Sequence, residues 1–503
     1  LCDVDTSKWS AQRTRHGSFV DSQSPLCGCD RAVGTPTPNP VDRSRRLLYH
    51  STGFKSGNQS AMRLLIVTHQ YLPNPNPRAL RWTAIAEHWA AIGHRVDVVC
   101  GVPSDGVVTQ GSGPATDRLQ VHRVGIGWRE QVRRRFGRGA ADRSQPVERV
   151  RGVRPVLVSG LRAVYGATWR RLCWPDSASG WYRPAVRFCR DRLQNANYDA
   201  LVSVSNPFTS HRVGRTLKRA YPSLRWVADI GDPFSVDDKV RVNNVLLYAQ
   251  RNRRFEADVL QTADAACIVT ESMTDLYRRS FPESAARMHA VPPMCTSPAF
   301  ADAPHARNSQ RLRLAYFGTL YRGIRSPRPL LQLFRQLLAQ PGCANLELRF
   351  YGNANGCESE FEIVRDLIGR QVHLHGTVSR NAAQHALQQA DVLVNLGNDL
   401  PYGLPSKVVE YAATGKPILN LSLIRDDVSA RFLRNYSAAH NVLASDIQNG
   451  CMAGESTAEF LRQSPGAERA TVERLLRPHR VESVAAEYER LLIPPASNTG
   501  SAA

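Results

Sequence analysis

The sequence predicts an α/β protein built from two consecutive Rossmann-like, doubly wound domains facing a cleft. Short apolar runs of about five or six residues alternate with amphipathic stretches of about ten or more, as in strand–helix–strand units around a buried parallel sheet. That grammar runs twice, from Met62 to about residue 300 and again from about residue 312, with a linker containing Pro and Ala (297–309) between. The chain has 503 residues, 42% of them apolar, which is enough for two cores.

The first unit opens at Arg63–Thr68 (RLLIVT), a buried strand. A loop rich in Pro and Asn follows, then a helix over Arg78–Ile92 with Leu80, Ala84, Ile85, Trp89 and Ile92 near one face, ended by Gly93. Arg95–Cys100, Ala200–Val204, Arg225–Ile230 and Ala265–Thr270 read as further strands, with helices over His211–Ala220 and Asn252–Ala263. His211 reads as structural. Residues 121–190 are less regular. In the second unit the strands are Leu312–Gly318, Leu346–Gly352, Val372–Gly376, Asp391–Leu396 and Pro417–Leu421, with helices near 327–340, 358–370, 379–389 and 405–414. A last helix near 480–492 is placed to pack back on the first domain. Residues 1–61 are rich in Ser, Thr, Pro, Gly and Arg without hydrophobic period, and are expected to be a disordered or non-native extension before a domain starting at Met62.

Eleven scattered cysteines, with no CxxC pair, argue against a disulfide framework or a zinc site and fit a reducing compartment. No run of about 18 apolar residues suggests a membrane-spanning helix. The net charge of +21 favours a polyanionic partner: nucleic acid, anionic lipid or a phosphate-bearing substrate. Part of that charge sits in residues 121–170, with twelve Arg and no Lys against Glu130, Asp142 and Glu148. The stretch 121–172 reads as a solvated surface or as an attachment to anionic lipid. No nucleic-acid module is present, so none is expected as partner.

Open α/β sheets bind ligands at the carboxyl ends of their strands, so the segments after strands carry the chemistry. Neither GxGxxG nor GxxxxGK[ST] follows the first strand of either domain, which disfavours a nicotinamide oxidoreductase or a P-loop kinase. Phe317-Gly318-Thr319-Leu320-Tyr321-Arg322-Gly323 does follow one. A glycine turn there admits backbone N–H groups to a phosphate, and Arg322 or Arg325 is placed to clamp a diphosphate. In Leu404-Pro405-Ser406-Lys407-Val408-Val409-Glu410-Tyr411, Pro405 and Ser406 open a helix whose positive end suits an anion. Lys407 lies in its first turn, and Glu410 one turn on suits vicinal ribose hydroxyls.

This last segment resembles the sugar-nucleotide motif of GT-B glycosyltransferases, particularly the retaining group called family four. Tyr71-Leu72-Pro73 through Arg78 and Arg81, Ile92-Gly93-His94-Arg95-Val96, Asp176 with Gly180-Trp181, and Val227–Phe234 resemble the family's amino-domain signatures. The resemblance covers about residues 62–490 and implies an acceptor domain (62–300), a donor domain (301–478) and a carboxyl-terminal helix and tail (479–503). It implies that Glu410 binds the ribose and that Arg322, with Lys407 or Arg325, neutralises the departing diphosphate. Gly376-Thr377-Val378 would contact the base, with Gly318 and Ser406 also lining the donor site. His69, Asp229 and Asp232 would face acceptor and sugar, with Arg78 and Arg81 on the acceptor side; His69 or Asp232 would be the base of an inverting reaction.

Two departures stand out. The family's second Glu, eight residues before the ribose Glu, is Tyr402 here, with Asp399 the nearest acid, and the usual Lys after the phosphate Arg is missing. No DxD motif appears, so no metal or other cofactor is expected. The implied protein is a cytoplasmic enzyme, peripheral on the inner face of the plasma membrane. It would move a hexose from a nucleotide sugar to a glycan or polyprenyl-linked acceptor in cell-envelope polysaccharide synthesis. A sugar-nucleotide epimerase or hydrolase of the same fold, and a non-catalytic GT-B partner subunit, remain alternatives.

Overall fold

The structure is a computed structural model and describes residues 61–494 apart from Pro75, 103–116, 126–172, Asp238, Val240, Arg241, 296–310, 449–451 and 464–465. The expected extension, the linker and most of the basic stretch lie outside the described residues. Residues 60–503 form one compact unit holding two all-parallel sheets.

The first sheet comprises β1 (Arg63–Thr68), β2 (Arg95–Cys100), β3 (Leu119–Arg123), β4 (Ala200–Val204), β5 (Arg225–Ile230), β6 (Ala265–Ile268) and β7 (Met288–Ala290). Their order is β3-β2-β1-β4-β5-β6-β7. The second comprises β8 (Leu312–Phe317), β9 (Leu346–Tyr351), β10 (Val372–Gly376), β11 (Val392–Leu396), β12 (Ile418–Ser422) and β13 (Ala439–Leu443), ordered β10-β9-β8-β11-β12-β13. In each sheet the winding reverses beside its first strand, between β1 and β4 and between β8 and β11. The crevice at such a reversal is where open α/β sheets take ligands.

Local chemistry sets the helix ends. In α1 (Pro77–Ala91), Pro77 takes the first position and the Asn76 side chain accepts from the Arg78 N–H at 2.9 Å. Gly93, at φ +115°, ends the turn after it. Helices α2 (Tyr182–Asn195), α3 (Thr209–Ala220), α4 (Val245–Thr262) and α5 (Glu271–Ser280) complete the first domain. The second domain carries α6 (Arg328–Leu338), α7 (Arg380–Gln389) and α8 (Ser406–Ala413). It continues with α9 (Val428–Leu433), α10 (Ala444–Gln448), α11 (Met452–Gln463) and α12 (Arg469–Leu476). The ammonium of Lys416 closes α7, donating to the carbonyls of Leu387 (3.1 Å), Gln388 (2.6 Å) and Ala390.

The predicted strands match to within one or two residues, and α4 begins seven residues before its expected start. Reading by apolar run alone passed over β3, β7, β13, α2, α5 and α9 to α12. Most of these elements are short, edge-lying or strongly basic; β3 reads LQVHR and is half-exposed. The segment expected as a helix near 358–370 is a 3₁₀ helix at Glu358–Leu367, kinked at Val364.

The last helix, α13 (Val481–Leu492), returns to the first domain. Val484, Ala485, Tyr488 and Leu492 share one buried cluster with Leu64 and Ile66 of β1 and Trp82 and Trp89 of α1. A polar knot pins it there. Asp229, at the end of β5, accepts from the Arg78 guanidinium, Trp82 Nε1 (2.7 Å) and Tyr488 Oη (2.6 Å). Arg81 donates to the Pro292 carbonyl (2.7 Å) and Tyr488 Oη (3.2 Å). Asp229→Ala leaves two buried donors, Trp82 and Tyr488, without their acceptor and removes the counter-charge of Arg78, and is expected to destabilise the protein by about 3–5 kcal/mol. Tyr488→Phe should cost about 1–2 kcal/mol, both read from urea unfolding.

Candidate functional site

Loops from the carboxyl ends of β5 and β6 meet the loop after β11: the Tyr402 hydroxyl bonds Asp237, and Thr270 Oγ1 donates to the Tyr402 carbonyl at 2.7 Å. The carboxyl edges of the two sheets therefore face each other.

On the second sheet, the ends of β8, β9 and β10 are closed by glycines. A Cβ on Gly352 would stand 1.9 Å from the Gly318 carbonyl oxygen, so two backbones touch where no side chain fits. Gly352 N–H donates to the Gly376 carbonyl at 2.8 Å. Thr377 is exposed and Val378 half-exposed beyond it. Beside these turns Phe317, Tyr351 and His375 form a stack of near-parallel rings, with centroids 4.8 and 4.4 Å apart and His375 exposed at its end.

Across β8 stands α8. Its amino end has no side-chain cap, so the N–H groups of its first turn, at Ser406 and Lys407, keep their positive polarity. Lys407 Nζ donates to the Phe317 carbonyl at 2.8 Å. A Cβ on Gly318 would meet that Nζ at 3.3 Å and the Tyr316 hydroxyl at 2.8 Å, which is why glycine stands there. Burial, reinforced by the nearby Arg325 cation and opposed by Glu410 one turn away, lowers the Lys407 pKa to about 8. Arg325 is held by Asn398 Oδ1, at 2.9 Å from Nε and 2.7 Å from Nη2. Arg322, at the tip of the same turn, is exposed and makes no hydrogen bond or ion pair to any described residue. The donor-side expectations thus fall together: Gly318, Arg322, Arg325, Ser406, Lys407 and Glu410 surround one strand end, with Gly376 to Val378 two strands away.

On the first sheet, His69 follows β1. Its ring packs edge-on against Trp181 with centroids 5.3 Å apart, and it would block any side chain at Gly101. Burial lowers its pKa to about 4, so the imidazole is neutral at pH 7. Trp181 is in turn steadied by Asp176, which accepts from Thr209 N–H (2.9 Å), Thr209 Oγ1 (2.7 Å) and Ala178 N–H (2.9 Å). Asp232 lies beyond β5 and accepts from Asn206. It is exposed, and the protein crowding it raises its pKa against the opposing pull of Arg78 and the Asn206 hydrogen bond.

Three expectations are corrected. Asp229 and Arg81 are 1% and 5% exposed, and Arg78 is ion-paired to Asp229 while also donating to the Ser205 carbonyl at 3.2 Å. Asp229 and Arg81 turn into the knot beneath α13 rather than toward an acceptor, and Arg78 is held between that knot and the segment after β5. His211 is structural, as expected: it is fully buried against Ser203 Oγ at 2.8 Å. Sequence reasoning missed Asn398 and Asp237. Neither lies in a recognisable motif; only the fold brings one to Arg325 and the other to Tyr402.

Arg325→Met should raise the titration midpoint of Lys407 and Glu410→Gln should lower it, measured by NMR of the ¹³C-methylated lysine. An unmoved midpoint in both variants would contradict this arrangement.

No protein-family model matches the chain, and no curated protein is recognisably similar. Solved structures do match. An α,α-trehalose-phosphate synthase (UDP-forming) from Burkholderia xenovorans aligns with a TM-score of 0.55 at 14% identity, over 86% of this chain and 100% of that one. The catalytic domain of starch synthase IV from Arabidopsis thaliana aligns at 0.54 and 11% identity, over 86% and 99%. WaaG, a glycosyltransferase involved in lipopolysaccharide biosynthesis, aligns at 0.50 and 13% identity, over 86% and 100%. With its two parallel sheets meeting at their carboxyl edges, the chain has the GT-B fold of these glycosyltransferases.

Proposed function

We propose that the chain is a glycosyltransferase that moves a hexose from a nucleoside diphosphate sugar to a glycan or lipid-linked acceptor. The donor is held by the second domain and the acceptor by the first. The observation that carries this reading is the convergence of Arg322, Arg325, Lys407 and the uncapped start of α8 on one strand end, with Glu410 one turn further. A diphosphate fits three cations and a helix amino end, and a ribose diol fits the carboxylate. The matched trehalose-phosphate synthase is described as UDP-forming and the starch synthase holds ADP, in keeping with a nucleotide donor.

In the reaction, the bond from the anomeric carbon to the diphosphate oxygen breaks and its electron pair stays on that oxygen. The cations and the α8 amino end stabilise the charge as it develops, without a resident metal. The acceptor oxygen bonds to the anomeric carbon. In a retaining transfer, its proton passes to the departing phosphate oxygen. Neutral His69 and Asp232, across the cleft, orient the acceptor and the sugar, and in an inverting transfer either would take the proton.

Isothermal calorimetry with UDP, GDP and ADP tests the donor site. One nucleotide should bind the protein, and Glu410→Ala should weaken it by roughly tenfold or more. Affinity should fall as pH rises through about 8, because the neutral Lys407 amine no longer pairs with a diphosphate. Transfer should persist in EDTA and give a product of retained anomeric configuration by NMR. Absence of nucleotide binding would leave the non-catalytic partner subunit as the better reading, since Tyr402 stands where the family places a carboxylate.

We place the reaction in cell-envelope polysaccharide synthesis at the cytoplasmic face of the membrane, with the protein held peripherally by its basic surface. WaaG's role in lipopolysaccharide synthesis is consistent with that pathway. No helix of the described residues is long and apolar enough to cross a membrane. Residues 126–172 lie outside the described residues, but α4 supports peripheral attachment: Leu246 and Leu247 are exposed at its start, and Arg251, Arg253 and Arg254 follow, also exposed. The protein should co-sediment with vesicles containing phosphatidylglycerol and not with pure phosphatidylcholine, and Leu246→Glu with Leu247→Glu should abolish this.

A further inference from the structure

The loop after β11, residues 397–403, belongs to the second domain by chain position, yet its apolar side chains lie in the first. Leu400 and Tyr402 are 8% and 5% exposed, and both are members of the buried cluster that contains Phe234, Phe255 and Met273. Four polar contacts tie it there. The Tyr402 hydroxyl bonds Asp237, the Tyr402 carbonyl accepts from Thr270, and Lys239 Nζ reaches both the carboxylate (2.9 Å) and the carbonyl (3.0 Å) of Asp399.

The other end of the same loop holds the phosphate-facing turn. Asn398 Oδ1 takes two hydrogen bonds from the Arg325 guanidinium. Asp399 N–H donates to the Ile324 carbonyl at 2.9 Å, and Ile324 itself packs against the first domain's cluster. Tyr321 and Arg325 close the turn through reciprocal backbone bonds of 3.1 and 2.7 Å, with Arg322 between them. One short, irregular loop thus connects side chains of the first domain to the cations of the second.

We propose that Tyr402, Asp237 and Asn398 are positioning residues for the donor diphosphate: the first domain, through the 397–403 loop, sets Arg325 and the turn bearing Arg322. This rests on the donor-site reading above and goes beyond it. At the position where the resemblance places a second Glu, the chain carries a phenol that couples the two domains to the cations beside β8. The physical reason is preorganisation. An arginine side chain and an irregular loop lose much freedom on clamping a ligand, and an anchor already bonded before binding removes part of that cost.

A double-mutant cycle on UDP binding, with GDP and ADP run beside it, tests the coupling. Tyr402→Phe keeps the buried ring and removes only the hydroxyl. It and Asp237→Asn, whose site lies in the acceptor domain, should each weaken binding roughly three- to thirtyfold. Asn398→Ala should do the same in the wild-type background and little in Arg325→Met, because both act through one guanidinium. A second readout needs no nucleotide: the Lys407 titration midpoint by ¹³C-methyl NMR should shift in Asp237→Asn and Tyr402→Phe as Arg325 loses its fixed place. Wild-type affinity together with an unmoved midpoint in all three variants overturns the proposal. Should none of the nucleotides bind the wild-type protein, the donor-site reading falls and the Lys407 midpoint alone decides the coupling.

Discussion

The buried carboxylate of Asp229 is the constraint on which the first domain's architecture depends. A carboxylate taken out of water must have its lone pairs matched by donors or by opposite charge, and breaking such a set leaves an uncompensated polar group. Here three donors come from two distant parts of the chain: Arg78 and Trp82 on α1, and Tyr488 on α13. The knot therefore fixes how α1 and the last helix lie against the end of β5. It also fixes the start of the segment after β5, because the Arg78 guanidinium packs against Gly231 and leaves no room for a Cβ there. Asp232, the next residue, is delivered into the cleft by that packing. Its loop is held from the far side by Glu256, which accepts from Ser235 N–H (2.9 Å) and its hydroxyl and from Tyr277 Oη (2.6 Å).

The second domain meets the opposite problem, positive charges gathered at one strand end. Arg325 and the half-buried Lys407 lie close enough for the arginine to depress the lysine's pKa, and Glu410 only partly offsets this. Like charges held together under partial burial cost stability, and here Asn398 holds Arg325 in place while the Phe317 carbonyl holds Lys407. The backbone makes a matching choice. At Gly318 and Gly352 the close approach of two strand ends excludes side chains, which keeps the carboxyl edge of β8 open beside the cations.

Most of the fold was legible in the sequence because a buried parallel strand is a short Val/Ile/Leu run, and RLLIVT, RVDVVC and RWVADI are such runs. Elements at the sheet margins were not, because LQVHR and AHNVL are half-exposed and carry no clean period. Part of the expected donor side was legible for a different reason: the stretch from Pro405 to Glu410 is contiguous and displays helix start, cation and carboxylate at fixed spacing. The acceptor side is assembled from distant strand ends, and there residue type misled. Arg78, Arg81 and Asp229 are charged residues near strand ends, as site residues are, and only burial reveals that they satisfy one another. Tyr402 was noticed as a missing acid. What it does instead depends on Asp237, 165 positions away.

The chain passes between the domains near residue 295 and again before α13, and these two crossings are bonded to each other. Cys295 N–H donates to the His479 carbonyl at 2.8 Å, and His479 Nδ1 lies 2.6 Å from the Pro293 carbonyl. A carbonyl accepts only, so that nitrogen carries the proton. Burial, with the Arg81 cation nearby, lowers the ring's pKa and so favours the neutral imidazole. With the crossings joined at one place and the 397–403 loop seated in the first domain at another, two separated points determine the relation of the sheets. A relative movement that preserves the crossings has to withdraw Leu400 and Tyr402 from an apolar cluster and break the Asp237 and Lys239 contacts. The same movement pulls on Asn398, and hence on Arg325. Domain arrangement and the placement of the Arg325 charge are for that reason one mechanical variable in this protein, not two.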